Sequence, residues 1–367
     1  FEACSFATIM QYVVPGFLQG YLYTVAGFDV YASWVAVAIL ASALIVYIQY
    51  IGTKKAAKLQ NILTCIIAGV GLLLVAGSVV TGDMNNLSGQ EFVGDNGGDI
   101  ISNILKVAIM TPFFLFGFDV IPQAAEEINM PLKRLGKLMI ASIGMAVVFY
   151  AMIVVAIGYV MNPEQIAASM ADTGMVTADA IAIAFSNEAM TKVLIIGGLC
   201  GIVTTWNSFL IGGSRVIFSM SKARMLPKTF SKLHPEYNTP WVAILFLGIL
   251  SMIAPLFGRV MLVWIVDAAN FACCLAYCMV ALSFLRLRKT KPNIARPFRV
   301  KSGQLIGSLA VLMSGFMALM YMIPGTNCSL TWQEWIIVGG WAFLGVLLAI
   351  LAVRLYGDDF CSGMNFE

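Results

Sequence analysis

Residues 111–122 read Thr111-Pro112-Phe113-Phe114-Leu115-Phe116-Gly117-Phe118-Asp119-Val120-Ile121-Pro122, an apolar run interrupted by two prolines, a glycine and a carboxylate. The run closes a longer apolar stretch, Ile104 to Pro122, of about the length that crosses roughly 30 Å of hydrocarbon. As a continuous lipid-facing helix it would be costly. An interior proline forfeits about 3 kcal/mol or more, and an ionised Asp at mid-membrane costs roughly 2.5–3.5 kcal/mol on insertion scales. Backbone freed at membrane depth is tolerated where it lines a cavity, and half-helix ends there can hold the charged groups of a solute. The stretch therefore reads as a broken helix at a substrate site. The competing reading is a proline-kinked packing helix in which Asp119 is hydrogen-bonded to a neighbour.

The rest of the chain agrees with a membrane setting. Of its 367 residues, 60% are apolar and 11% charged, whereas a soluble domain carries roughly 25% charged residues. A soluble enzyme is excluded. Uncharged runs of about 20 residues place nine spans: Tyr31 to Ile51, Leu59 to Thr81, Ile104 to Pro122, Leu138 to Val160, Val193 to Ser214, Trp241 to Phe257, Val260 to Leu285, Gln304 to Ile323 and Gln333 to Leu355. Phe1 to Val14 is apolar but too short to cross, and ends at Pro15 and Gly16, so it reads as the outer end of a helix. The expected fold class is an all-α membrane bundle of about nine full transmembrane helices plus a partial one.

Lys and Arg accumulate in cytoplasmic loops, and alternate connections differ sharply here. All but Lys106, Lys192 and Arg259 of the 22 basic residues fall in one set of connections or follow the last span. The richest is the loop 286–303. The opposite set collects Asp83, Glu91, Asp95, Asp99, Glu164, Asp172, Asp179 and Glu188. The basic set is assigned to the cytoplasm, which puts the segments Gly82 to Asn103 and Met161 to Lys192 outside and the C-terminus inside. Within the outer segments, Gly94-Asp95-Asn96-Gly97-Gly98 reads as a turn, and Thr177 to Phe185 as an interfacial helix.

Other chemistries lack their parts. The eight cysteines lie mostly inside apolar runs without metal spacing, so neither a disulfide framework nor a metal site is expected. His234 is the single histidine and reads as a solvated loop residue. With no second His and no clustered membrane carboxylates, acid–base or metal hydrolysis is not expected. No basic and aromatic block suits a nucleic acid, and no ring of charges suits a channel filter.

Two longer motifs carry a resemblance. The segment Phe116-Gly117-Phe118-Asp119-Val120-Ile121-Pro122-Gln123-Ala124-Ala125-Glu126-Glu127-Ile128-Asn129-Met130-Pro131 resembles the sixth-helix signature of the amino acid, polyamine and organocation permeases. Asn207-Ser208-Phe209 and Ser214-Arg215-Val216-Ile217-Phe218-Ser219-Met220, followed by Leu226-Pro227, His234-Pro235 and Thr239-Pro240, resemble that family's eighth helix and its exit. The resemblance implies an inverted-repeat helical transporter with discontinuous first and sixth helices, and Phe1 would fall within its third helix. Residues 1–81 would then be the remainder of the first repeat, 82–103 an extracellular loop and 104–285 the second repeat with its sixth helix broken near Gly117. A basic cytoplasmic loop (286–303), two additional helices (304–355) and a cytoplasmic tail (356–367) would follow. On this mapping the first two helices, including the one that receives a substrate carboxylate in the family, are missing.

The resemblance also implies roles. Phe113, Phe116, Gly117 and Phe118 are expected at the substrate, with backbone carbonyls near Gly117 receiving an amino group. Asp119 takes the position of an acidic residue used in proton-linked gating, and Asp267, inside Val263-Trp264-Ile265-Val266-Asp267, ranks second. Gly197, Gly201, Thr205, Ser208 and Gly212 share one helical face, which suits close helix packing. The alternative for Thr204, Thr205 and Ser208 is the border of an ion or substrate site. Some proton-driven members carry a Lys in the fifth helix, yet residues 61–81 contain no basic residue. The resulting expectation is a secondary transporter of an amino acid or related amine in the plasma membrane, proton-coupled or working by exchange, with no cofactor beyond a coupling ion, H+ or Na+. A non-transporting amino-acid sensor on the same scaffold is the alternative.

Overall fold

Long uncharged runs must satisfy their backbone hydrogen bonds within themselves when water is absent, and the regular structure is accordingly almost all helical. The computed structural model describes residues 1–87, 97–125, 130–172, 174–296, 298–326 and 328–362. In chain order it forms α1 (Glu2–Val13), β1 (Tyr21–Val25), β2 (Phe28–Tyr31), α2 (Ala32–Tyr50), α3 (Thr53–Thr81), α4 (Gly97–Leu115), α5 (Val120–Gln123) and α6 (Leu132–Val160). There follow α7 (Pro163–Asp172), α8 (Val176–Phe185), α9 (Ala189–Lys222), α10 (Trp241–Ile253), α11 (Met261–Thr290), α12 (Gly303–Met322) and α13 (Trp332–Tyr356).

Among the described residues, eight segments are long and apolar enough to cross a membrane: α2, α3, α4 with α5, α6, α9, α11, α12 and α13. Large apolar side chains stand exposed along them, among them Leu40, Val80, Met145, Leu312, Phe343 and Leu355. Such surfaces suit hydrocarbon rather than water. The ninth expected span, Trp241 to Phe257, is helical over the expected bounds, but its last four residues are not α-helical. Pro240 precedes α10, and Pro255 lacks the N–H that would continue it, so the chain tightens into a 3₁₀ turn over Ala254–Phe257. The α-helical part rises about 20 Å and the turn about 8 Å more. The turn expected at Gly94 to Gly98 lies partly outside the described residues, and Gly97 already opens α4.

A hairpin that no sequence signal announced precedes α2. β1 and β2 pair antiparallel, with Val25 opposite Phe28. Ala26 (φ 46°) and Gly27 (φ 85°) make a two-residue turn with both φ positive, the geometry that matches strand twist. Alanine where Asn or Asp is usual hides that signal. Thr24 donates to Asp29 at 2.7 Å across the pair.

The helices group into two compact units. One gathers the described residues of Phe1–Asp95, Gly144–Lys222 and Lys228–Met261. Its core joins Leu74 of α3, Ala156 and Val160 of α6 and Ala180, Ile181 and Ala184 of α8. Thus α8 appears where an interfacial helix was expected, but its apolar face is buried against protein rather than laid on lipid. Close approach between α9 and α3 depends on absent side chains: a Cβ at Gly197 would lie 3.0 Å from Val70, and one at Gly201 2.4 Å from the Ile67 side chain. Gly201→Val is therefore expected to lower stability by about 1–3 kcal/mol through overpacking, read as a reduced unfolding midpoint in detergent.

The other unit gathers the described residues of Asn96–Ile143, Ala223–Pro227 and Leu262–Glu367. Ile109 of α4, Phe271 and Cys274 of α11, and Ala318 and Tyr321 of α12 form its core. The Tyr321 hydroxyl donates to the Ile109 carbonyl at 3.2 Å. A capping box of Thr331 and Glu334 starts α13. All eight cysteines are free.

Candidate functional site

The break is built locally. Pro112 sits inside α4 and removes one helical donor. Three residues after Pro112 the helix ends, at Leu115, and Gly117 adopts φ +118°, a conformation side chains resist and glycine accepts. Residues 116–119 then form turns, with the Phe116 N–H donating to the Phe113 carbonyl at 3.4 Å and the Val120 N–H to the Gly117 carbonyl at 3.1 Å. Asp119 staples the turn from within. Its Oδ1 accepts the Gly117 N–H at 3.0 Å and its Oδ2 accepts Gln123 Nε2 at 3.3 Å.

Among the described residues, no hydrogen bond reaches the carbonyls of Leu115 and Phe116 or engages the amides of Phe118 and Asp119. A Cβ at Gly117 would meet nothing within 4 Å, so the turn borders open space on the side of Gly117. At the end of α4 the carbonyls carry the negative end of the helix dipole, the polarity that suits a cation such as an ammonium group.

Aromatic rings surround the turn. Phe113 lies edge-on to Phe114 and Phe116, each at 5.9 Å between ring centres. Tyr277 of α11 meets Phe116 at 6.4 Å and Phe118 at 5.7 Å, while its hydroxyl is buried with no hydrogen-bond partner among the described residues. A buried hydroxyl left unpaired costs about 1–3 kcal/mol, so one placed beside an open backbone turn is suited to a ligand. The structure thus brings together Phe113, Phe116, Gly117, Phe118 and Asp119, and adds Tyr277 and Gln123. Sequence reasoning missed Tyr277 because it lies in a long apolar run whose register against α4 only packing supplies. Glu126 and Glu127 of the signature lie outside the described residues.

The other expected residues stand elsewhere. Asp267 precedes Tyr277 by ten positions on α11, about 15 Å along the axis. Thr204, Thr205 and Ser208 belong to the first unit. Thr204 and Thr205 donate to the Gly201 carbonyl of their own helix at 2.7 and 3.0 Å. Ser208 accepts from Gln60 Nε2 at 3.0 Å, while Asn207 donates to Gln60 Oε1 at 3.0 Å and accepts from Gln49. These polar residues tie α2, α3 and α9 together. The isolated polar Gln49 and Gln60 at span ends were the available signal. An open cavity of about 740 Å³ also lies in this unit, with Asp179, Glu188 and Lys192 on its wall, and does not include these residues. His234 is a loop organiser: its Nδ1 accepts the Glu236 and Tyr237 amides at 3.2 Å, and its ring stacks on Tyr237. Among the described residues, no group of three His, Cys, Asp or Glu side chains could hold a metal.

The sequence model of the family described as amino acid permease matches residues 1–348. A branched-chain amino acid permease of Bacillus subtilis is 27% identical over 310 residues, 84% of this chain and 62% of the relative. A methylthioribose transporter of the same species is 26% identical, covering 83% of the chain and 61% of the relative. A glutamate/serine transporter of that species is also 26% identical, over 83% of the chain and 53% of the relative. The chain therefore spans little more than half to three fifths of the length of these curated relatives.

Proposed function

The chain belongs to the amino acid permease family, and from that premise we propose that the whole protein is a secondary transporter moving an amino acid or related amine by alternating access. The family is one of transporters rather than enzymes, with a multi-pass helical fold. The observation that carries the reading to particular residues is the turn at Gly117, which is open on the side of Gly117, lies beside aromatic rings and has backbone carbonyls with no hydrogen-bond partner among the described residues. In this reading the carbonyls of Leu115 and Phe116 receive the substrate ammonium group. Phe113, Phe116 and Phe118 wall the pocket, and Asp119 couples proton uptake to movement of the broken helix. The division into two inverted repeats, a plasma-membrane location and a cytoplasmic C-terminus belong to the same proposal, supported by the distribution of basic residues. The relatives' named substrates differ from one another, so the proposal stops at the shared amine chemistry.

The test is uptake of labelled amino acids into proteoliposomes holding the full-length protein. Accumulation along a proton gradient, or exchange against internal substrate, is the expected result. Ligand-dependent stabilisation with no flux would instead mark a sensor.

Tyr277→Phe separates packing from binding. It keeps the rings and deletes a hydroxyl that has no partner among the described residues, so stability is expected to hold or rise slightly. Half-saturating substrate concentration is expected to rise about tenfold, the effect of losing one hydrogen bond of about 1.4 kcal/mol to a ligand. Unchanged affinity would place Tyr277 outside the pocket.

A further inference from the structure

The second unit carries a surface that the transport site does not use. Between Asp267 and Glu334 the chain contains no acidic residue, while the segment 286–301 contains seven basic ones. Two of these seven build the loop. Arg296 donates to the carbonyls of Leu287, Lys291, Pro292 and Ile294 at 2.8–3.4 Å, which gathers the carbonyls at the end of α11 around one guanidinium. Arg288 donates to the Val300 carbonyl at 3.1 Å and lies over the Phe284 ring at 4.7 Å. Arg286, Lys289, Arg299 and Lys301 remain exposed, and among the described residues none of the four has an ion-pair partner.

Packing adds a second basic group to this loop. The Phe298 ring rests on Gly136 of α6 so closely that a Cβ there would lie 2.7 Å from the ring. Exposed Lys133, Arg134 and Lys137 flank that contact on the first turns of α6. Glycine at 136 is what lets the loop and the helix start meet, and the result is one basic surface drawn from two distant stretches of sequence.

The surroundings say which anions it suits. Exposed apolar side chains alternate with the basic ones at the same helix ends: Leu138 and Leu287 are each 44% exposed, Ile294 42% and Leu305 63%. Long basic side chains beside exposed aliphatic ones fit the boundary between hydrocarbon and headgroups, where the stems lie on apolar surface and the charges reach outward. We propose that this surface, held together by Phe298 on Gly136, is a binding site for the headgroups of anionic phospholipids. Each Lys or Arg near a negatively charged membrane surface strengthens attachment about fivefold. The interaction weakens as salt rises, because the charges are exposed.

The experiment uses the full-length protein in neutral detergent micelles titrated with phosphatidylglycerol or phosphatidylcholine, with the thermal unfolding midpoint as readout. Phosphatidylglycerol is expected to raise the midpoint and phosphatidylcholine to leave it in place. Arg299→Gln, Lys301→Gln and Lys133→Gln should each need about fivefold more phosphatidylglycerol for the same shift, whereas Lys301→Arg should match the parent. The unfolding midpoints in phosphatidylcholine alone show whether each variant is folded. Equal responses to the two lipids would overturn the proposal, as would glutamine variants that respond like the parent. A parent response at Lys133→Gln alone would show that the two basic groups are not one surface. Reproduction of the full shift by glycerol phosphate or by polyglutamate would assign the patch to a soluble phosphate or an acidic protein segment and reject the lipid.

Discussion

Gly117→Val in the full-length protein is expected to cut uptake by roughly 5- to 150-fold while leaving most of the fold in place. The reason is backbone geometry and not crowding. At φ +118° a β-branched residue is strained by about 1–3 kcal/mol, although the space a side chain would enter is empty. The chain can escape that strain only by moving the turn, and a preference of this size shifts a conformational equilibrium roughly 5- to 150-fold. Any shift re-aims the Leu115 and Phe116 carbonyls and withdraws the Gly117 amide from Asp119. Gly198 supplies the control. It also has open space where a Cβ would go, but it lies inside α9 with an ordinary helical backbone. Gly198→Ala should transport normally and be as stable as the parent or slightly more so. Equal loss in both variants would show a general sensitivity of the protein to added methyl groups. Normal uptake by Gly117→Val would remove the turn from the mechanism.

The second large effect is expected at Asp119, where two substitutions separate shape from charge. Asparagine keeps an oxygen for the Gly117 N–H, and the opposing Gln123 amide can rotate to accept from the new NH₂ group. The turn should survive and substrate binding with it. What Asp119→Asn loses is the capacity to take up and release a proton, so net uptake driven by a pH gradient is expected to fall by a much larger factor than affinity does. Alanine removes both hydrogen bonds. Without them the Gly117 amide is left unpaired, at a cost of about 1–3 kcal/mol, and Asp119→Ala should therefore weaken binding as well as transport. The measurement is uptake from about pH 5 to about pH 8 beside ligand-dependent thermal stabilisation. Identical pH profiles for parent and Asp119→Asn would reject a proton-coupling role and leave the carboxylate as a structural staple.

The membrane architecture was legible because the bilayer imposes simple one-dimensional rules. Length and hydropathy located eight crossings that appear among the described residues as long apolar helices, and the α10 segment keeps its expected bounds, Trp241 to Phe257, with its end tightened into a 3₁₀ turn at Pro255. The break in α4 was equally legible. Pro112 and Gly117 act through their own backbones, and Asp119 bonds to residues two and four positions away, so the whole device is written within about a dozen residues. Local chemistry of that kind needs no tertiary partner to be recognised.

Features that depend on register between distant segments were not legible. Nothing in the run around Tyr277 distinguishes it from other apolar positions, since its contact with Phe116 and Phe118 is made by the way α11 lies on α4. The reading of Thr204, Thr205 and Ser208 as the border of an ion site was open for the same reason. In the fold, the two threonine hydroxyls turn back to their own helix and Ser208 is held by Gln60. The hairpin before α2 went unseen because its turn uses Ala26, and α8 looked interfacial because a sequence cannot say whether protein or lipid will cover an apolar face.

From residue order alone come the membrane class, the crossings, the family and the place where α4 gives way. These follow from hydrophobic length and from backbone constraints that act within a few residues. Tertiary structure alone decided which side chains from other helices close around Gly117, which small residues serve packing, and that Phe298 joins two basic segments into one surface. Such contacts depend on how helices rotate and slide against each other, a freedom that the pattern along a single apolar helix leaves open.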